Sequence, residues 1–267
     1  MARTVSRARP GTAPEQRSGP RVAITLPLTL DLERGPSVPC GSLDLGTGGV
    51  CVSTAAPFAL SALHAVHLGL PDGALTLRAH GVWQREAKVD GVVMTGVQFD
   101  GPGDGEKEIL GSLVQRRIRE LTRFLMESST LGPLGFDDAM ELTRRTRRRH
   151  FAPGRLIYER GAGRNGEISI FIVASGRVSL ELPRPGRAPL VAHALACGDV
   201  FGGLPMVAGV VHCDSAVALE PCQLIEIDEY AYQELFRDSP TIARALEHAV
   251  VRRVCADLAA ALAERPA

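Results

Sequence analysis

The sequence predicts a mainly β protein with helices, built as two β-rich modules joined by a helical connector. Three observations carry this. Short apolar and polar alternations, separated by Gly, Pro or Asp, fill residues 21–100,. The pattern turns helical after "GPGDG" at 101–105,. It returns to strand-length runs from Phe151 and closes on an amphipathic helix,.

Residues 1–15 are rich in Pro, Arg, Ala and Thr without periodicity and read as a disordered tail,. The runs "RVAITLPLTL", "CGSLDLGTGGVCVST", "HAVHLGL", "LTLRAHGVWQRE" and "VVMTGVQFD" follow, and their spacing fits a small antiparallel barrel over 16–105,. A helical connector is assigned to 106–132, with Ile109, Leu113, Ile118, Leu121 and Leu125 at helical spacing,. After "LGPLG" a second helix is predicted from about Asp137, closing with "RRTRRRH" at 144–150,. That basic run reads as a solvated helix end whose cations suit the C-terminal dipole, rather than as a phosphate-contacting patch. The second β module and its final helix are assigned to 133–263, the helix carrying Ile242, Leu246, Ala249, Val250 and Leu258.

Composition narrows the function. The 267 residues are 45% hydrophobic with formal net charge zero, so nucleic-acid or membrane-surface binding driven by long-range attraction is disfavoured,. No run is long enough to span a bilayer and no signal peptide opens the chain, so a cytoplasmic protein is expected. The six cysteines lack any C-x-x-C pair, and His64 with His67 stand alone, so no metal site is predicted,. No G-x-S-x-G elbow, Walker lysine or H-E-x-x-H occurs, and no catalytic residues or cofactor are assigned.

Two places concentrate chemistry. In "SLDLGTGGV", Gly46, Gly48 and Gly49 crowd behind Asp44, marking a tight connection or a backbone approached closely by another group,. Upstream, "RSGPR" sets Arg17 and Arg21 four apart, with Gly19-Pro20 forbidding a helix between them,. Folded back over the barrel mouth, two guanidinium forks beside an acid and a glycine turn make a set suited to a phosphate-bridged guanine nucleotide.

This combination resembles the PilZ domain, a bacterial receptor module for cyclic di-GMP. Its R-x-x-x-R is supplied by Arg17 and Arg21, and its D/N-x-S-x-x-G by "DLGTGG", with Asp44 and Gly49 in place. The resemblance implies a six-stranded antiparallel barrel and a cyclic di-GMP site at Arg17, Arg21, Asp44, Gly46 and Gly49. Gly46 stands where the family has serine. A lost neutral hydrogen bond costs ~0.5–1.5 kcal/mol, so weakened rather than abolished binding is expected.

The C-terminal half resembles the cyclic nucleotide-binding domain, a β-roll (jelly roll) with flanking helices. The family's cassette reads F-G-E and R-[ST]-A; here it reads "FGG", with Gly202 and Gly203, and "DSA", with Asp214, Ser215 and Ala216. Gly203 replaces the acid that accepts from ribose, and Asp214 replaces the arginine that neutralises the cyclic phosphate, a repulsive substitution. The cassette is therefore expected not to bind. No DNA binding is expected, because one helix after the roll leaves no reading element. The resulting expectation is a cyclic di-GMP receptor whose roll serves as output or dimerisation module, with an unknown protein partner and a homodimer through helices. The alternatives are a ligand-free scaffold using both folds for protein contact, and a cAMP- or cGMP-responsive regulator.

Overall fold

A computed structural model describes residues 21–71, 73–86, 92–128, 130–131, 134–163, 168–184 and 187–263. Seven strands come first: β1 (Arg21–Val22), β2 (Pro27–Leu32), β3 (Val38–Gly46), β4 (Gly49–Thr54), β5 (Leu63–Leu70), β6 (Gly73–Glu86) and β7 (Val93–Phe99). Pairing in the order β3-β2-β5-β6-β7-β4, with β4 returning to β3, closes a six-stranded antiparallel barrel; β1 pairs with the end of β3 beyond β2, on the edge of β3 that β4 leaves free. Period-two alternation explains the inside. Leu28 and Leu30, Val50 and Val52, Val66 and Leu68, and Leu75, Leu77 and Ala79 are all buried,. Closure also leaves no long free edge on a hydrophobic sheet.

Helix α1 (Asp104–Ser128) follows, with Asp104 and Glu106 in its first turn, where acids suit the dipole,. Leu110, Leu113, Val114, Ile118, Leu121 and Leu125 make its buried stripe. Ile109, assigned to that stripe from its spacing, is instead exposed, because Leu110 points inward one residue later. Arg117 ties the helix to the barrel entrance, its Nε donating to the Ala23 carbonyl at 3.3 Å.

Helix α2 (Phe136–Arg144) is shorter than the basic run suggested, and Arg147–Phe151 is a strand, β8. The helical reading of 144–150 is thus corrected. Thr146 closes the helix by donating Oγ1 to the Thr143 carbonyl. Carboxylates distant in sequence then draw the arginines into strand register: Arg147 pairs with Asp228 at 3.2 Å and Arg149 with Glu226 at 3.2 Å. Arg145 meanwhile reaches Glu141, Glu234 and Asp238. Most of the run's charge is therefore answered by carboxylates rather than left to solvent.

The second module comprises β8, β9 (Leu156–Tyr158), β10 (Ser169–Ser175), β11 (Val178–Arg184), β12 (Arg187–Leu195), β13 (Val200–Gly202), β14 (Ser215–Ala218) and β15 (Cys222–Asp228). They form two four-stranded sheets, β13-β10-β15-β8 and β12-β11-β14-β9, stacked as a roll. Helices α3 (Leu204–Ala208), α4 (Glu229–Asp238) and α5 (Pro240–Ala263) complete it. Phe171, Val173, Val178, Leu180, Phe201 and Leu224 fill the space between the sheets. Ile170, Ile172, Ile225 and Ile227 face the other way, into a second core shared with α1, α2, α4, α5 and the barrel residues Leu45 and Val50. Both faces of β10 are covered, which is why "SIFIV" reads as an unbroken apolar run. On α5, Ile242, Leu246, Ala249 and Val250 join that core, whereas Leu258 is exposed, contrary to its assignment to the buried face. No helix among the described residues is long and apolar enough to cross a membrane.

Candidate functional site

The barrel motif comes together on the outer surface. Antiparallel pairing of β1 with β3 places Arg21 directly across from Gly46. From there Arg21 Nη1 donates to Asp44 Oδ1 at 3.0 Å, both side chains about one-third exposed (32% and 30%). β3 and β4 are joined through residues 47–48, and Gly46 pairs with Gly49. The crowded glycines are not left-handed: none of Gly46, Gly48 and Gly49 has a positive φ. Gly49 is bare for room, since a Cβ there would run into the Val97 carbonyl and lie 3.0 Å from Arg21 Nη2. Arg17 lies outside the described residues, as does the tail assigned to 1–15.

Ser42 holds this arrangement in place, a role its sequence position does not announce. Its buried hydroxyl donates to the Ile24 carbonyl (2.6 Å) and accepts from the Leu26 N–H (2.8 Å), pegging the lead-in strand against β3,. Further round the barrel, the indole of Trp83 lies across Gly96, and the Arg85 guanidinium sits 5.1 Å from the Trp83 ring centroid,. Cys51, beside Asp44, is a buried thiol pushed up to about 12, chiefly by burial and also by the Asp44 charge. It is an inert spacer, not a nucleophile.

The roll cassette is built differently. Gly203 precedes α3 with φ +73°, and a Cβ there would collide with Ile170 and approach Val250 Cγ2 to 3.2 Å. A glutamate at this point has neither backbone nor space. Asp214 is buried, and both its oxygens accept from the Tyr158 hydroxyl at 3.4 Å. Burial raises the Asp214 carboxyl, and burial followed by the Asp214 charge raises the Tyr158 phenol. His212 stacks on Tyr158 at 3.9 Å between centroids and is lowered to about 4 by burial, so it stays neutral. Ser215 Oγ accepts from the Arg160 N–H, and Ala216 is buried in β14. Helix α5 closes the recess with Arg253, Val254 and Asp257. Arg253 Nη2 bonds Asp199 at 2.9 Å. Asp257 Oδ1 lies 3.3 Å from His193 Nε2, within ion-pair reach but out of hydrogen-bond alignment.

The two modules thus differ: one carries a partly exposed pair of opposite charges, the other a recess closed by its own side chains. Residues 15–116 match the PilZ domain and residues 148–239 the cyclic nucleotide-binding domain, both of them ligand-binding regulatory domains. The HTH-type transcriptional regulator Cmr of Mycobacterium tuberculosis is 28% identical over 122 residues, covering 46% of this chain and 48% of that protein. The chain thus spans about half the length of this relative. Among solved structures, the catabolite activator protein of Thermus thermophilus is 27% identical, covers 50% of this chain and 62% of its own, and superposes with a TM-score of 0.43. The regulatory domain of Toxoplasma gondii PKA, solved with cAMP, is 16% identical, covers 86% of this chain and 77% of its own, with a TM-score of 0.47.

Proposed function

We propose that the protein is a cyclic di-GMP receptor in which the barrel takes the nucleotide and the roll acts as output or dimerisation module. The carrying observation is the Arg21–Asp44 pair, half-solvated on the barrel's outer face beside the bare backbone of Gly49. In the free protein the two charges satisfy each other. With nucleotide present, the guanidinium turns its fork to a phosphate while the carboxylate accepts from guanine N–H groups. Arg17, from the lead-in, is assigned the second phosphate. The roll is read as silent toward cyclic mononucleotides, because Asp214 sits where the phosphate's cation belongs and Ile170 and Val250 fill the acid's place at Gly203.

Calorimetry on the full chain with cyclic di-GMP and with cAMP tests this. The expected result is heat with the dinucleotide at micromolar affinity, about −8 kcal/mol, and none with cAMP. A folded sample giving neither heat nor a thermal shift with cyclic di-GMP at about 1 mM defeats the reading.

A second reading, a homodimer through α5, is favoured by one observation. Val251, Leu258 and Leu262 are exposed at 48%, 59% and 53% and recur at helical spacing, forming one apolar stripe,. Light scattering on wild type and Leu258→Glu checks it. A dimer that becomes a monomer supports it, and a monomeric wild type removes it.

A further inference from the structure

Helix α5 is seated on the rest of the molecule in two different ways. Its first half is held by apolar packing, with Ile242, Ala243, Leu246, Ala249 and Val250 all buried. Nothing in that buried set titrates. Arg253 marks its end, donating Nη2 to Asp199 at 2.9 Å. Past this ion pair the chemistry changes. Among the described residues that follow, Asp257 alone is buried, while Cys255, Ala256, Leu258 and Ala259 are exposed. The terminal turns thus rest on the roll through a carboxyl group.

The surroundings favour that carboxyl in its neutral form. Asp257 Oδ1 is buried and has no hydrogen-bond partner among the described residues. His193 on β12 comes within 3.3 Å, but its Nε2 is buried and unpartnered in the same way. From the segment before β14, Asp214 brings a second buried carboxyl to the recess, beside the neutral His212 and the Cys213 thiol. Tyr158 on β9 directs its hydroxyl to Asp214. β13 and α3 contribute Gly202 and Leu204, neither of them charged. Arg253, the cation lining the recess, is bonded to Asp199 instead. An ionised Asp257 is withdrawn from water, lacks a donor and faces a like charge. Burial accordingly pushes its carboxyl up to about 6.

We propose that the last turns of α5 form a proton-dependent latch on the roll, seated while Asp257 is protonated and loosened when it ionises. In the loosened form the carboxylate meets water and regains its ordinary value of 3.8. The seat is therefore strongest below that value, weakens as pH rises through the window up to about 6, and stays weak above it,. Leu258 follows Asp257 directly and Leu262 comes one turn later, so the same proton governs how this exposed apolar stripe is presented,. The latch does not depend on nucleotide binding by the barrel.

Hydrogen–deuterium exchange on the full chain, read by mass spectrometry without ligand, tests it. Rates are corrected for the intrinsic pH dependence of amide exchange, so that protection alone is compared. Wild-type protection over 254–263 should be about tenfold lower at about pH 7.5 than at about pH 5, with 242–250 unchanged. Asp257→Asn keeps the shape of the protonated acid and should hold the higher protection at both values. Wild-type protection equal within about twofold at the two values overturns the latch. An equal fall over 242–250 also overturns it, since the whole helix then responds. So does a pH dependence that survives in Asp257→Asn, because the proton then belongs to another group. Should that variant melt early, Asp257→Ser takes its place, a flat profile supporting the latch and a persistent one overturning it.

Discussion

The barrel face and the roll cassette hold similar chemistry in opposite states. On the barrel, Arg21 and Asp44 are each about one-third exposed (32% and 30%) and pair across open backbone. In the roll, Asp214 is only 8% exposed, bonded to Tyr158 and roofed by α5. A charge that remains near water can change partners at little cost, whereas a buried one is held by the groups that compensate for its burial. The first arrangement suits exchange with a ligand, and the second suits a packed interior.

The sharpest way to break that contrast is to restore the cassette. Gly203→Glu forces a side chain onto a φ of +73° and against Ile170, so it should destabilise the chain by ~2–4 kcal/mol without creating cAMP affinity,. Denaturant melts and a cAMP titration read both effects. An unchanged melt would show that the cassette has room after all. On the barrel side, Arg21→Ala removes a charge-assisted contact worth ~1.5–3 kcal/mol, so cyclic di-GMP affinity should fall at least about tenfold while the melt shifts little.

A smaller effect separates the two regions by pH. Burial pushes the Asp257 carboxyl up to about 6 from the ordinary 3.8, with Asp214's charge adding to the rise and those of His193 and Arg253 opposing it. Between those values the folded state holds a proton that the unfolded chain has released, so this group's contribution to stability falls as pH rises across the window. Asp257→Asn removes the penalty. Its melting temperature should exceed wild type by ~2–5 °C near pH 7.5 and match it near pH 4. The smallest effect sharpens the barrel reading: Gly46→Ser, across from Arg21, should tighten cyclic di-GMP binding about three- to tenfold by calorimetry,.

Where the sequence was readable, local pattern was enough. The barrel strands alternate, α1 repeats at helical spacing, and Arg21, Asp44 and Gly49 stand at motif spacing. What escaped depends on partners far along the chain. β8 is a strand because Glu226, 77 residues from Arg149, faces it, and no local window contains that carboxylate. Ser42 resembles any strand serine until the lead-in folds onto it, and Trp83 meets Gly96 only through register. The substitution at Gly203 was visible as a missing acid. Its physical reason was not, since Ile170 and Val250 approach it from elements distant in sequence.

The core that runs unbroken from Leu45 and Val50 through α1 and α2 to Ile225 and Ile227 also sets how the molecule comes apart. Modules that share buried surface lose it together, so heat should dissolve barrel and roll in one cooperative transition. If the barrel takes the nucleotide as proposed, a concentration [L] adds RT ln(1 + [L]/Kd) to the whole, and amides of the roll should then exchange more slowly with deuterium although the ligand sits on the barrel.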